Sequence, residues 1–204
     1  MNRKDFFTLY RKICGAAWRP RAQKKLVWAY DFAKLIHRLH KRDGGERYFE
    51  HPRRVALIIL TQCERPTEKE LALALMHDII EDGILDPEIL VPIFGGSIRS
   101  DIGVLSKTVS EYDRDGQFLG KRKKSLEEYY RLVADAPRMV RRVKIADRID
   151  NLSDMGPWEA ARKEKYLKET EEYILPIAAA TDSNLHARLL HVFEEVRKST
   201  RPLQ

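Results

Sequence analysis

The residues with chemistry in them cluster around a single short run. His77-Asp78-Ile79-Ile80-Glu81-Asp82 follows directly on Leu71-Ala72-Leu73-Ala74-Leu75-Met76. A helix that is apolar all the way round is a buried one, so the imidazole and the three carboxylates are expected at the end of a central helix. Taking His77 as zero and about 100° per residue, Glu81 falls at ~40°, Asp78 at ~100° and Asp82 at ~140°. All four share one face, with Ile79 and Ile80 opposite. Packed together without a partner they repel, at a cost of several kcal/mol once desolvated. The competing reading is a solvated helix end, but helix C-termini favour cations over Glu-Asp. A divalent cation resolves the conflict, because His and Asp are good ligands for one.

Two further stretches can complete such a site. In Arg138-Met139-Val140-Arg141-Arg142-Val143-Lys144-Ile145-Ala146-Asp147, helical spacing sets Asp147 between Val140 and Val143, with Lys144 at ~60° and Asn151 at ~40° from it. Asp147 therefore sits on the inward face and needs a metal or a cationic partner. The third stretch is Tyr48-Phe49-Glu50-His51-Pro52, where Pro52 suits the first position of the apolar helix that follows and His51 its cap. A lone histidine there is more often a cap or a packed core residue. Together, however, His51, His77, Asp78 and Asp147 form a mixed nitrogen and oxygen donor set that suits Mn, Fe or Zn and leaves positions open for water and substrate.

The elements that must position these residues read as helices. Breaks fall at Pro20, Gly44-Gly45, Pro66, Asp82-Gly83, Gly95-Gly96, Gly116, Gly120, Pro137, Gly156-Pro157 and 181–184. Thr67-x-x-Glu70 and Ser125-x-x-Glu128 read as capping boxes, the first opening a helix to about residue 81. Asp86-Pro87 reads as an N-cap with proline at the first helical position. Alternating strand-like runs are absent, so the expectation is an all-α single domain over 25–198, preceded by a basic arm or helix at 1–24 and followed by a tail at 199–204.

Composition narrows the class of function. The chain has 204 residues, with 43% hydrophobic, enough for a core. Cys14 and Cys63 match neither a disulfide framework nor a CxxC motif, and the first residues lack a signal-peptide core, which points to the cytoplasm. No apolar run approaches the ~18 residues of a membrane span. The net charge of +7 resides in residues 1–25, where eight Lys and Arg face Asp5 alone; the rest carries 30 of each sign. A nucleic-acid-binding domain is basic in its body, so no nucleic acid is expected, and Lys121-Arg122-Lys123-Lys124 reads as a solvated helix end. The sequence carries no signal of oligomeric state.

An H…HD…D arrangement on helices resembles the HD-domain phosphohydrolases. Tyr48-x-x-His51-Pro52, His77-Asp78-x-x-Glu81-Asp82 and Lys144-x-Ala146-Asp147-Arg148-x-x-Asn151 narrow this to the hydrolase domain of RelA/SpoT-type stringent-response enzymes. Phe94-Gly95-Gly96, Leu105-Ser106-Lys107-Thr108 and 168–178 support it, and the matches run from about residue 25 to 198. The resemblance implies an HD-type helical bundle that removes the 3′-diphosphate of ppGpp or pppGpp, with Mn²⁺ as the usual metal and Zn²⁺ or Fe²⁺ as alternatives. No room remains for the other domains of the long enzymes, so a free-standing small alarmone hydrolase is expected.

By motif position, the resemblance makes His51, His77, Asp78 and Asp147 the metal ligands. It makes Glu81 and Asp82 the groups that orient and deprotonate water, and Asn151 a nucleoside contact. Candidate substrate contacts are Lys41, Arg42, Tyr48, Lys107, Lys144, Arg148, Arg162 and Lys165. The loop before Tyr48 is shorter than is usual in the family and carries Arg47 where proline is usual, which leaves guanine as the implied base and adenine as the alternative. Rival readings are an HD phosphohydrolase acting on (p)ppApp or NADPH, and a non-catalytic module that docks RNA or a protein partner through its basic arm.

Overall fold

Every residue from Leu71 to Met76 is buried. The computed structural model describes residues 1–15, 20–79, 87–115 and 117–200. In chain order the elements are α1 (Arg3–Cys14), α2 (Pro20–Ile36), α3 (Glu50–Gln62), α4 (Glu68–Met76), a 3₁₀ turn (Pro87–Leu90), α5 (Val91–Phe94) and α6 (Ser97–Leu105). Then come strands β1 (Thr108–Tyr112) and β2 (Phe118–Lys123), α7 (Leu126–Asp135), α8 (Arg138–Ser153), α9 (Ala160–Glu169), a π-helical turn (Thr170–Ile174), α10 (Leu175–Ala179) and α11 (Ser183–Thr200). The central α4 packs against α2, α3 and α8, and α8 also packs on α11 and α3. Among the described residues no helix is long and apolar enough to cross a membrane.

The basic N-terminus is a helix with an apolar face in the core. Phe6, Phe7 and Tyr10 are buried, and Phe6 and Phe7 pack on Tyr30 at 5.2 and 5.6 Å between ring centres. Its charges stay outside, as in the ion pair of Arg3 with Asp31 at 2.8 Å.

Local structure departs from the sequence expectations in four places. Helix α4 ends at Met76, with His77–Ile79 in a turn; the Nδ1 of His77 donates to the Ala74 carbonyl at 2.8 Å and so satisfies one of the carbonyls a helix end leaves open. Only half of the Thr67 capping box forms. Thr67 accepts from the Glu70 backbone, but the Glu70 carboxylate is buried with Arg142 at 3.6 Å instead. Helix α3 begins at Glu50, so Pro52 stands third in the helix and His51 lies inside the first turn rather than capping it. Finally, an antiparallel hairpin stands where the basic run read as a helix end, with Thr108 opposite Lys123 and Glu111 opposite Gly120. The hairpin buries none of its described side chains, and Leu119 is 67% exposed, so they show no apolar alternation. Its turn is made by Asp113, whose carboxylate accepts from the backbone of Asp115 and Gln117. The Ser125 capping box is complete. Asp86 lies outside the described residues, and a 3₁₀ turn begins at Pro87.

Candidate active site

Helix α8 supplies the floor of a cleft. Its buried face presents Lys144, Asp147 and Asn151 at i, i+3 and i+7, the spacing that stacks side chains on one side of a helix. The first turn of α3 brings His51, and the turn after α4 brings His77 and Asp78. These residues, from three separate stretches of chain, converge. His51 Nε2 lies 3.4 Å from Asp78 Oδ2 and 3.3 Å from Asp147 Oδ1. His77 Nε2 lies 3.1 Å from Asp78 Oδ1 and 3.7 Å from Asp147 Oδ1.

The donor set fits a divalent cation. Metal–ligand bonds of about 2.1 Å at tetrahedral or octahedral angles place neighbouring donors roughly 3.0–3.4 Å apart, close to these separations. Both imidazoles already commit the other ring nitrogen. His51 Nδ1 is 2.6 Å from Asp150 Oδ2, and His77 Nδ1 donates to Ala74. Each Nε2 therefore faces two carboxylates, and that of His77 is buried without a hydrogen-bond partner. Lone pairs of neutral imidazoles aimed at carboxylates repel unless a cation or proton lies between.

Protonation answers the same geometry. Burial pulls both imidazoles down, but the hydrogen bonds that Asp147, Asp150 and Asp78 accept hold His51 well above its ordinary value, and the charges of Asp78 and Asp147 raise His77. Burial pushes Asp147 up, yet the Lys144 ammonium at 2.7 Å and the two imidazoles hold it well below the carboxylate range. Asp78 is likewise lowered, against its burial, by His77 and His51. Tyr48 adds a hydrogen bond from its hydroxyl to Asp78 Oδ2 at 2.9 Å.

Cations and aromatic rings line the cleft above this centre. Of the expected substrate contacts, Lys41, Arg42, Tyr48, Lys107, Lys144, Asn151 and Arg162 all line it. Arg42 is held by Asn151 Oδ1 at 2.7 Å and by Asp154 at 2.8 Å. Its backbone closes a tight turn in which Gly45, at φ +83°, takes the left-handed conformation that side chains resist. Two expected contacts lie elsewhere. Arg148 is fully buried, with its guanidinium over the Tyr166 ring at 3.7 Å and bonded to Thr170 Oγ1, the Tyr166 carbonyl and the Tyr130 hydroxyl; it braces α8 against α7 and α9. Lys165 is exposed, one residue short of the Arg162–Tyr166 stripe that faces the cleft. Glu81 and Asp82 lie outside the described residues.

Sequence reasoning missed several residues here. Trp158 and Tyr166 line the cleft, with Arg162 stacked on Trp158 at 3.8 Å and paired with Asp43 at 2.7 Å. Their spacing of four, Trp158-x₃-Arg162-x₃-Tyr166, was a readable stripe. Asp150 and Arg54 were missed as well, though His51-x-x-Arg54 and Asp147-x-x-Asp150 are matched i, i+3 pairs on two helices.

An ordered His, His-Asp and Asp set on packed helices defines a class of helical domain built around a divalent cation. The chain belongs to the HD-domain family, whose family model matches residues 29–181. Among its relatives is the guanosine-3′,5′-bis(diphosphate) 3′-pyrophosphohydrolase of Aquifex aeolicus, 32% identical over 162 residues, which covers 78% of this chain and 22% of that protein. The bifunctional (p)ppGpp synthase/hydrolase SpoT of Escherichia coli K12 is 30% identical over 157 residues, 76% of this chain and 21% of that one. The chain thus spans about a fifth of the length of these curated relatives. The solved structure of a metazoan ortholog of SpoT, a protein described as hydrolyzing ppGpp, shares the fold with a TM-score of 0.67 and 22% identity, over 84% of this chain and 94% of that one.

Proposed function

We propose that this chain is a Mn²⁺-dependent hydrolase that removes the 3′-diphosphate of ppGpp or pppGpp, giving GDP or GTP and pyrophosphate. One observation carries the reading: His51, His77 and Asp78 offer donor atoms within 4.8 Å of one another, with Asp147 3.3 Å from His51, at the floor of a cleft walled by Lys41, Arg42, Lys107, Lys144 and Arg162 and by aromatic rings. A polyphosphate needs such cations, and a base needs the rings. The names of the two curated relatives, both of them longer proteins, support the same substrate class.

In the reaction, water adds to the phosphorus on the ribose 3′ oxygen, the P–O3′ bond breaks, and a proton reaches the 3′ oxygen. His51, His77, Asp78 and Asp147 hold the metal, which when bound lowers the pKa of water and draws charge from the phosphoryl oxygens. Tyr48 orients Asp78, and Lys144 orients Asp147 while adding positive charge beside the phosphates. Glu81 and Asp82, directly after the metal-binding turn in the sequence, orient the water and take its proton. Arg162 and Lys107 neutralise phosphate charge, and Arg42 and Trp158 contact the nucleoside. The cytoplasm is the proposed compartment, in keeping with the free thiols of Cys14 and Cys63.

The test is incubation with Mn²⁺ and ppGpp, pppGpp, ppApp or NADPH, with products separated by ion exchange. Pyrophosphate with GDP and GTP from the guanine substrates is expected. Cleavage of only an adenine or nicotinamide nucleotide would refute the substrate, and cleavage of none would refute the hydrolase.

A further inference from the structure

Behind His51, on the side away from the cleft, lies a second carboxylate that the metal set does not use. Asp150 is buried, at 3% exposure, and both of its oxygens are taken. Oδ2 is 2.6 Å from His51 Nδ1, and Oδ1 accepts from Arg54 Nε at 2.6 Å. Arg54 is clamped in turn by Glu46 at 2.5 Å and Asp154 at 3.4 Å. The spacing explains the fit: His51 and Arg54 are one turn apart on α3, and Asp150 and Asp154 one turn apart at the end of α8, so the two helices meet as a ladder of alternating charge.

The arrangement continues into the cleft. Asp154 also holds Arg42, Arg42 holds Asn151, and Asn151 donates to Asp147 Oδ1 at 2.5 Å, which returns to His51. The contacts form a closed ring around the metal-binding face. Since a carboxylate can only accept here, His51 Nδ1 carries a proton toward Asp150, which leaves Nε2 as the nitrogen that faces the metal position.

We propose that Asp150, fixed by Arg54, is a positioning residue that locks the orientation and tautomer of His51 and so sets the metal affinity of this chain. Carboxylates that accept from a metal-binding histidine sharpen its geometry and raise its basicity, and their loss typically weakens metal binding 10- to 100-fold. Arg54 is what makes Asp150, a third carboxylate on His51 beside Asp78 and Asp147, tolerable in the interior. The inference rests on the metal reading of the cleft and not on which nucleotide is cleaved.

The experiment titrates the full chain with Mn²⁺ alone, free ion being read by electron paramagnetic resonance, for the wild type, Asp150→Asn, Asp150→Glu and Asp150→Ala. Folding of each is checked by circular dichroism. Asp150→Asn is expected to bind Mn²⁺ about 10- to 100-fold more weakly while folded, with Asp150→Glu recovering part of the loss. Because Asn keeps the shape and one acceptor, a packing role alone would leave the affinity of that variant unchanged. A wild type that binds Mn²⁺ with Asp150→Asn folded and within about twofold of it overturns the proposal while leaving the metal reading in place. A wild type that binds no Mn²⁺ overturns both. Should Asp150→Asn fail to fold, Arg54→Gln carries the same expectation and the same refutation.

Discussion

Metal affinity is expected to climb steeply as pH rises through the histidine range. The structure says which protons are in the way. Nδ1 of His51 is committed to Asp150 and Nδ1 of His77 to Ala74, while both pKa values are raised, so below those raised values each Nε2 of the metal-free protein holds a proton facing carboxylates. A cation must displace both. Two displaced protons make affinity rise by up to ~100-fold per pH unit while both rings are protonated, or about 2.7 kcal/mol. For a domain of this size the gap in melting temperature between loaded and chelated protein then widens by about 5–11 °C per unit. The metal-free form moves the opposite way: a raised histidine pKa contributes stability below the ordinary value of about 6.5 and loses it as pH climbs through the raised values. Calorimetric titration with Mn²⁺ in two buffers of different ionisation enthalpy counts the protons released, and melting with and without chelator gives the gap. Affinity that stays flat from about pH 6 to pH 8, with no protons released, would refute the assignment of His51 and His77 as protonated partners of one centre.

Other perturbations separate the site from its frame. Asp147→Asn removes a proposed metal ligand and strands the buried Lys144 ammonium, so loss of Mn²⁺ binding and about 3 kcal/mol of stability is expected by titration and denaturant melts. Arg148→Met should cost about 2–4 kcal/mol, through the acceptors it leaves unpaired, with KM unchanged, whereas Arg162→Ala, whose side chain is 56% exposed, should raise KM about tenfold or more with stability nearly constant. His37 is pushed down to about 4 by burial; the unfolded chain takes up its proton first, so stability falls on acidification from about 6.5 toward 4, and His37→Gln should flatten that slope in acid melts.

What the sequence made legible follows from period and type. The apolar run 71–76 announced a buried helix, and the spacing of Val140, Val143 and Asp147 announced a carboxylate on an inward face; both positions are buried. The hairpin was hidden because its described side chains, none of them buried, show no apolar alternation. The start of α3 was hidden because proline is tolerated throughout the first turn, where backbone N–H groups have no partner in any case. The ring through Asp150, Arg54, Asp154 and Arg42 was hidden for a different reason: each member is an ordinary charged residue in sequence, and its role arises only when α3, α8 and the turn at 41–47 meet.

That meeting depends on α8, whose buried face is unusually polar. Arg142 reaches Asp182 at 2.6 Å and Glu70 at 3.6 Å, tying α8 to the start of α11 and to α4. Lys144 lies 5.2 Å over the Tyr129 ring of α7, Arg148 binds α9 and the π-helical turn, and Asp150 binds α3. An apolar helix in this position would pack as well and cost less to desolvate. Apolar contacts, however, tolerate sliding and rotation, whereas these pairs are satisfied at one depth and one angle. Metal–ligand bonds tolerate errors of about 0.2 Å, and Asp147 stands in the middle of this face, between Lys144 and Asp150. The polar packing of α8 costs stability and fixes Asp147 in one place, as its proposed role as a metal ligand demands. For that reason substitutions at Arg142, which does not line the cleft, are expected to weaken Mn²⁺ binding even where the fold survives.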